Sequence, residues 1–185
     1  DGCFGESDPD FDTRAWIPNP GPTLMQPEHR EKLRPYIDDV VKSYRGDPRI
    51  LMWDVMNEPS SMGIPKIAQG NDQFAWDFAR YWADYVRQLD RTHPTTIGVG
   101  NHAHIPWVFD HVDVVNFHCY QAFEKTYRMD IAAARKLAGD KTAIISETST
   151  AEMGSTPELN FRILREEKIG WYFFSLIIGE CPVTQ

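Results

Sequence analysis

Apolar residues along this chain fall into two alternating patterns. Short, nearly continuous runs are separated by longer stretches in which apolar side chains recur every three or four positions. The strongest run is Ile50–Met56, apolar at all but one position, as expected of a parallel strand covered on both faces. Thr95–Val99, Val112–His118, Thr142–Ser146 and Gly170–Ile178 read as four further strands. Between them, Asp72–Arg91 reads as a helix, with Phe74, Phe78, Trp82, Tyr85 and Leu89 in a stripe that belongs to the core. Met129–Ala138 is helical and stopped by Gly139, and Pro157 opens another helix at its first position. Helical spacing also covers Pro27–Tyr44, with Leu33, Tyr36, Ile37, Val40 and Val41 on one face. Pro35 either kinks that helix or marks its true start, and Gly46-Asp-Pro48 ends it. Residues 1–26 are rich in Asp, Pro and Gly and read as a long loop, as does 60–70.

Strand–helix units repeated after an initial helix predict a parallel α/β fold. A length of 185 residues suits one domain with a core of its own. Hydrophobic content of 42% and charged content of 25% are ordinary for a globular chain. A net charge of −8 argues against nucleic acid as a partner and is compatible with a neutral polysaccharide. No apolar stretch is long enough for a bilayer, and Asp1-Gly-Cys-Phe-Gly lacks the layout of a signal peptide. Cys3, Cys119 and Cys181 are too scattered for a disulfide framework or a zinc site; Cys119 reads as a small buried hydrophobe.

The chemistry concentrates at strand ends. Ile50–Met56 runs into Asn57-Glu58-Pro59, and Thr142–Ser146 into Glu147. Two glutamates at the C-terminal tips of buried parallel strands suit glycosidic bond cleavage. One carboxyl protonates the leaving oxygen and the other attacks or stabilises the sugar. Strand alternation places Asn116, His118 and Tyr120 on one face, with Phe117 and Cys119 on the other. The same alternation sets Asn57 and Glu58 on opposite faces, so both reach one site only if the strand end twists or bulges. Asp54, in mid-strand, needs a partner if it points inward. His102 and His104 form a His-x-His pair but have no acidic or cysteine partner at fitting spacing, so they read as loop histidines. Asn101, His102 or Trp107 is then available to line a substrate cleft, and Trp16 is a candidate aromatic subsite. Trp76 fits a buried helix face. No cofactor motif is present.

The segment Asp47-Pro-Arg-Ile-Leu-Met-Trp-Asp-Val-Met-Asn-Glu-Pro59 resembles the fourth strand of retaining glycoside hydrolases of clan A, especially family 5. Val115-Asn-Phe-His118-Cys-Tyr120 resembles that family's sixth strand, and Ile-Ile-Ser-Glu147-Thr its seventh. The resemblance implies a partial, truncated (β/α)₈ barrel of five parallel strands, numbered four to eight in the family. It makes Glu58 the acid/base and Glu147 the nucleophile of a retaining hydrolase of β-linked glycans, cellulase-like, without cofactor or metal. It makes Tyr120 the hydrogen-bond donor to the nucleophile, Asn57 a donor to the sugar 2-hydroxyl, and His118 a sugar contact or a guide for the acid/base proton. A sugar-platform tryptophan ends the family's last strand; here Phe174 holds that position and Trp171 precedes it by three residues. A secreted or periplasmic location follows from the same likeness.

In a retaining site Glu58 is expected to have a raised pKa and Glu147 not. The family's early strands supply an arginine and a histidine that support the nucleophile, so a catalytically impaired sugar-binding protein or inert barrel fragment is the competing expectation. A five-strand sheet leaves two open parallel edges, which predicts a homodimer that covers them.

Overall fold

The computed structural model describes residues 22–59, 72–149 and 154–174. Residues 1–21 with Trp16 and Cys3, 60–71, 150–153, and 175–185 with Cys181 lie outside it. Helices α1 (Pro22–Met25) and α2 (Pro27–Arg30) lead through a 3₁₀ turn, Glu31–Leu33, into α3 (Arg34–Tyr44). Pro35 therefore marks the true start of the long helix, where its missing N–H costs nothing. Gly46, at φ +76°, takes the left-handed turn after α3.

Five parallel strands follow in simple sequential order: β1 (Trp53–Asn57), β2 (Thr95–Val99), β3 (Val115–Cys119), β4 (Ala143–Thr148) and β5 (Gly170–Trp171). Each is joined to the next by helical segments: α4 (Asp72–Leu89), α5 (Ile105–Val108) with flanking 3₁₀ turns, α6 (Glu124–Ala138) and α7 (Pro157–Glu167). This is one side of a (β/α)₈ barrel, as the strand–helix alternation predicts. β1 begins three residues later than the hydrophobic run suggests, because Asp47 closes a turn onto the Ile50 N–H at 3.0 Å and the first ladder bond is Trp53 N–H to Pro94 O. β3 likewise starts at Val115, and α6 starts a turn earlier than its apolar spacing shows, at Glu124. Only the first two residues of the last predicted strand pair regularly among the described residues.

Two apolar clusters hold the layers together. The first lies between sheet and helices and includes Ile97, Val99, Phe117, Cys119, Ile145, Ile131 and Ile163, all fully buried. α4 reaches it through Ala79 and Ala83, whose small side chains let the helix sit close to β1 and β2. The second cluster joins Phe78 and Trp82 of α4 to Met25, Leu33 and Ile37. The aromatic stripe of α4 is thus core, packed on α3 and on Val55 and Met56 of the β1 edge. Each such buried side chain contributes roughly 1.5–3 kcal/mol over its exposed state. β2 and β3 are buried at every position, whereas β1 is an edge among the described strands and exposes Asp54 and Asn57. No helix among the described residues is long and apolar enough to cross a membrane.

Candidate active site

The site is assembled at the C-terminal ends of β1, β3 and β4. Two irregularities in strand pairing aim its side chains. Along β3 and β4, Phe117 pairs with Ile145, yet the next pair is His118 with Glu147, so Ser146 is an extra residue. Regular alternation would send Glu147 to the same side as Ile145, into the helix layer. The bulge reverses that and places Glu147 on the inner face with His118. Along β1 and β2, Asp54 pairs with Thr96 and Asn57 with Gly98, so β1 also carries one extra residue. Asn57 therefore shares the inner face with Gly98, and Glu58, at φ +43°, turns by a left-handed backbone step whose N–H donates to Gly98 O at 2.7 Å. A non-glycine residue there is strained, and strain of this kind concentrates at functional positions. The bulge and the turn together let Asn57 and Glu58 face one site, which alternation alone forbids.

His118 is 2% exposed and stands between the two glutamates. Its Nδ1 lies 2.6 Å from Glu58 Oε1 and 3.3 Å from Glu147 Oε2. A nitrogen facing two carboxylates must carry the proton and donate it. The Tyr120 hydroxyl donates to Glu147 Oε2 at 2.5 Å. Asn116, His118 and Tyr120 do share the inner face, while Phe117 and Cys119 enter the core. One carboxylate oxygen of Glu58, one of Glu147 and a nitrogen of His118 all lie within 4.8 Å of one another. The set could hold a divalent cation, though short imidazole–carboxylate contacts already engage it. The His102–His104 pair diverges instead: His102 Nδ1 approaches Asp130 Oδ1 at 3.4 Å and His104 packs on the Trp76 ring.

Burial raises the pKa of Glu147, and the neighbouring Glu58 and Asp54 add to this, while His118 and the Tyr120 hydroxyl pull it down. The expectation that Glu147 would keep an ordinary pKa is therefore corrected: desolvation outweighs the two groups that favour its ionised form. Tyr120 itself is pushed far up, first by burial and then by the adjacent Glu147 charge, so its hydroxyl remains a donor. Burial likewise pushes the Cys119 thiol up to about 12, which leaves it unreactive.

Asp54, whose partner the sequence does not reveal, is held by the Gly98 N–H at 3.1 Å and the Asn116 Nδ2 at 2.9 Å. The residue is open along the β1 edge, yet protein atoms crowd its carboxyl, and that desolvation raises its pKa against the opposing hydrogen bonds and the His118 charge. Two glycines make room for the cluster. A Cβ on Gly98 would stand 3.0 Å from His118 Nε2 and 3.3 Å from Asp54 Oδ2, and one on Gly100 3.3 Å from Glu58 Oε1. Neither glycine stands out in the strand-like run Ile97-Gly-Val-Gly100.

Other candidates lie elsewhere. Trp171 pairs with the core-facing Ile145 and packs its ring, tilted, 4.9 Å from that of Phe161 of α7, so it faces the helix layer and not the glutamates. This corrects its reading as a sugar contact. Phe174 stays near the site's rim, its N–H donating to Thr148 O, one residue past Glu147. Asn101 follows β2 at the same end, but its Oδ1 is committed to capping the next turn through the Ala103 N–H at 2.9 Å. Trp107 stacks on the buried Trp76 and is half exposed. Two depressions of about 360 and 510 Å³ lie at the opposite end of the sheet, near Thr142 and Pro94, away from the glutamates.

No protein-family model matches the chain. It is 33% identical over 69 residues to mannan endo-1,4-beta-mannosidase A of Podospora anserina, a match covering 37% of this chain and 17% of that protein. Among solved structures it is similar to a beta-glucuronidase of Bacteroides uniformis, with a TM-score of 0.64 and 14% identity over 90% of this chain and 23% of the other. It is also similar to a beta-1,4-mannanase of the sea hare Aplysia kurodai, with a TM-score of 0.54 and 19% identity over 81% of this chain and 56% of that one. The chain thus spans under two thirds of each. These likenesses define its class, a partial (β/α)₈ barrel of the kind that glycoside hydrolases use.

Proposed function

We propose that this chain carries the acid/base and nucleophile of a retaining, family-5-type glycoside hydrolase acting on β-linked glycans. The observation that carries this reading is the pair of strand-tip carboxylates, with oxygens of Glu58 and Glu147 inside 4.8 Å. Retaining enzymes hold their carboxyl groups about 5–5.5 Å apart, whereas inverting enzymes leave room for a water at about 6.5–9.5 Å.

In the first step a Glu147 oxygen attacks the anomeric carbon while Glu58 gives its proton to the departing glycosidic oxygen. In the second, Glu58 takes a proton from water, the water oxygen attacks the same carbon, and Glu147 leaves as carboxylate. His118 Nδ1–H, shared between the two carboxylates, stabilises whichever is charged at each stage. Tyr120 keeps Glu147 turned and favours its ionised form. Asn57 reaches the sugar beside Glu58. The partial identity with a mannosidase makes β-mannan the first polysaccharide to try, with glucan and xylan beside it.

The test is hydrolysis of aryl β-glycosides and these polysaccharides by the chain and its Glu147→Gln variant. Turnover lost by about 10⁴-fold or more in the variant supports the reading. Saturable glycan binding with no hydrolysis by the unaltered chain replaces it with an impaired, sugar-binding barrel. We further propose that a second copy covers the β1 edge and the exposed Leu51 beside it. Sedimentation showing only monomer removes that part.

A further inference from the structure

We propose that Asp54 and Asn116 are positioning residues, whose side chains replace the ladder partners lost at the two bulges and so hold Glu58 and Glu147 at their working separation. This rests on the proposed hydrolase reading, which supplies the reaction being positioned.

The bulges create a bonding problem. An extra residue in a strand leaves backbone groups without their regular partners, and a buried N–H left unpaired is costly. On β4 the extra residue is Ser146, and its N–H is taken by Asn116 Oδ1 at 3.1 Å. On β2, opposite the β1 bulge, the Gly98 N–H is taken by Asp54 Oδ1 at 3.1 Å. The two repairs are joined, because Asn116 Nδ2 donates to Asp54 Oδ2 at 2.9 Å. A continuous path therefore runs from the Glu58 N–H to Gly98 O, from Gly98 N–H to Asp54, from Asp54 to Asn116, and from Asn116 to the Ser146 N–H that precedes Glu147. It crosses β1, β2, β3 and β4 directly beneath the two carboxylates.

The polarity of this path is specified at every step. Asp54 must accept from both Gly98 and Asn116, and Asn116 must donate once and accept once. A side-chain amide has a single acceptor oxygen, so Asp54→Asn sets two N–H groups against each other wherever the amides turn. Asn116→Asp sets two carboxylates together. The reciprocal double variant restores the path. The new amide oxygen at position 54 accepts from the Gly98 N–H, and the amide nitrogen beside it donates to the new carboxylate at position 116. That carboxylate in turn accepts from the Ser146 N–H.

The experiment compares D54N, N116D and D54N/N116D, at a temperature well below each melting point. It reads kcat and KM on an aryl β-glycoside and amide hydrogen exchange at Gly98 and Ser146. The expected result is a roughly 10²-fold loss of kcat in each single variant, with KM changed by less than about threefold. Exchange at the two amides is faster in the singles, and both properties recover to within about fivefold in the double variant. Wild-type kcat in the singles overturns the proposal, as does a folded double variant that stays as slow as they are. If the unaltered chain hydrolyses nothing, the hydrolase reading fails by itself. Exchange then decides the hydrogen-bonded path: unchanged protection of Gly98 and Ser146 in D54N overturns it, and loss in D54N with recovery in the swap supports it.

Discussion

The Tyr120 hydroxyl donates to Glu147 Oε2 at 2.5 Å from the neighbouring strand. Burial raises the Glu147 pKa, and this phenol is one of two groups that pull it back. A nucleophile must be ionised, so a raised pKa sets the lower pH limit of activity. Removing a donor to the charged form raises that pKa further. Tyr120→Phe should therefore move the acid limb of the kcat/KM profile to higher pH. A pH–rate series on an aryl glycoside measures this, and an unmoved limb would detach Tyr120 from the ionisation of Glu147.

Gly100 lies where a Cβ would find its three nearest neighbours in the Glu58 side chain, Oε1 first at 3.3 Å. Gly98 lies where a Cβ would meet three hydrogen-bonded or buried polar groups at 3.0 to 3.4 Å. The two should respond differently to alanine. Gly100→Ala can be accommodated by a shift of the Glu58 side chain, so kcat should fall about tenfold or more with little change in melting temperature. Gly98→Ala must displace His118, Asp54 or Asn116 and should destabilise by about 1–3 kcal/mol. Equal losses of stability in both variants would contradict this division.

The fold was legible because each strand is a short apolar run and each helix an apolar stripe. Both patterns report burial, and burial decides the layers. Glu58, Glu147, His118 and Tyr120 were legible because a polar side chain at the end of an apolar strand needs a reason to be there. The aim of those side chains was less legible. Strict alternation sends Glu147 to the helix side, and only the extra residue at Ser146 brings it in. Bulges depend on pairing with another strand, which no local pattern encodes. The same limit hid the partners of Asp54, which are 44 and 62 residues away in sequence. Trp171 misled for the opposite reason: an aromatic residue near a strand end fits a sugar platform and a helix contact equally well.

Glu58 can be separated from Glu147 by its chemistry. With a leaving group that needs no proton, such as a dinitrophenolate, loss of the acid leaves the first step intact and slows the second, which needs a base. Glu58→Ala should therefore accumulate the glycosyl-enzyme intermediate on dinitrophenyl β-glycosides. Added azide, which attacks without general-base help, should restore turnover and give the β-glycosyl azide. Nuclear magnetic resonance of the product reads the anomeric configuration. An α-azide would mean a single displacement and would remove Glu147 as nucleophile.

Far from this chemistry, Asp90 is 1% exposed and serves as the anchor of the sheet's other end. Its carboxylate accepts from Trp53 Nε1 at 2.9 Å, from the Thr92 N–H at 2.8 Å and hydroxyl at 2.6 Å, and from His93 Nδ1 at 2.6 Å. Burial alone would raise its pKa, but these donors outweigh burial and hold it well below the usual carboxylate range. A folded-state pKa below the unfolded value of about 3.9 gives stability that is fully present above that pH and is lost as pH falls through the folded value. Asp90→Asn keeps the shape but removes the charge and one acceptor, and should cost about 2 kcal/mol at neutral pH. The cost should shrink as the pH is lowered below about 4, because the unfolded form of the unaltered chain then takes up a proton that its folded form still refuses. Denaturant melts of both proteins between pH 3 and 7 measure the difference directly. A cost that stays constant across that range would show that the lost acceptor at Asp90, and not its charge, is what loosens Trp53 and His93.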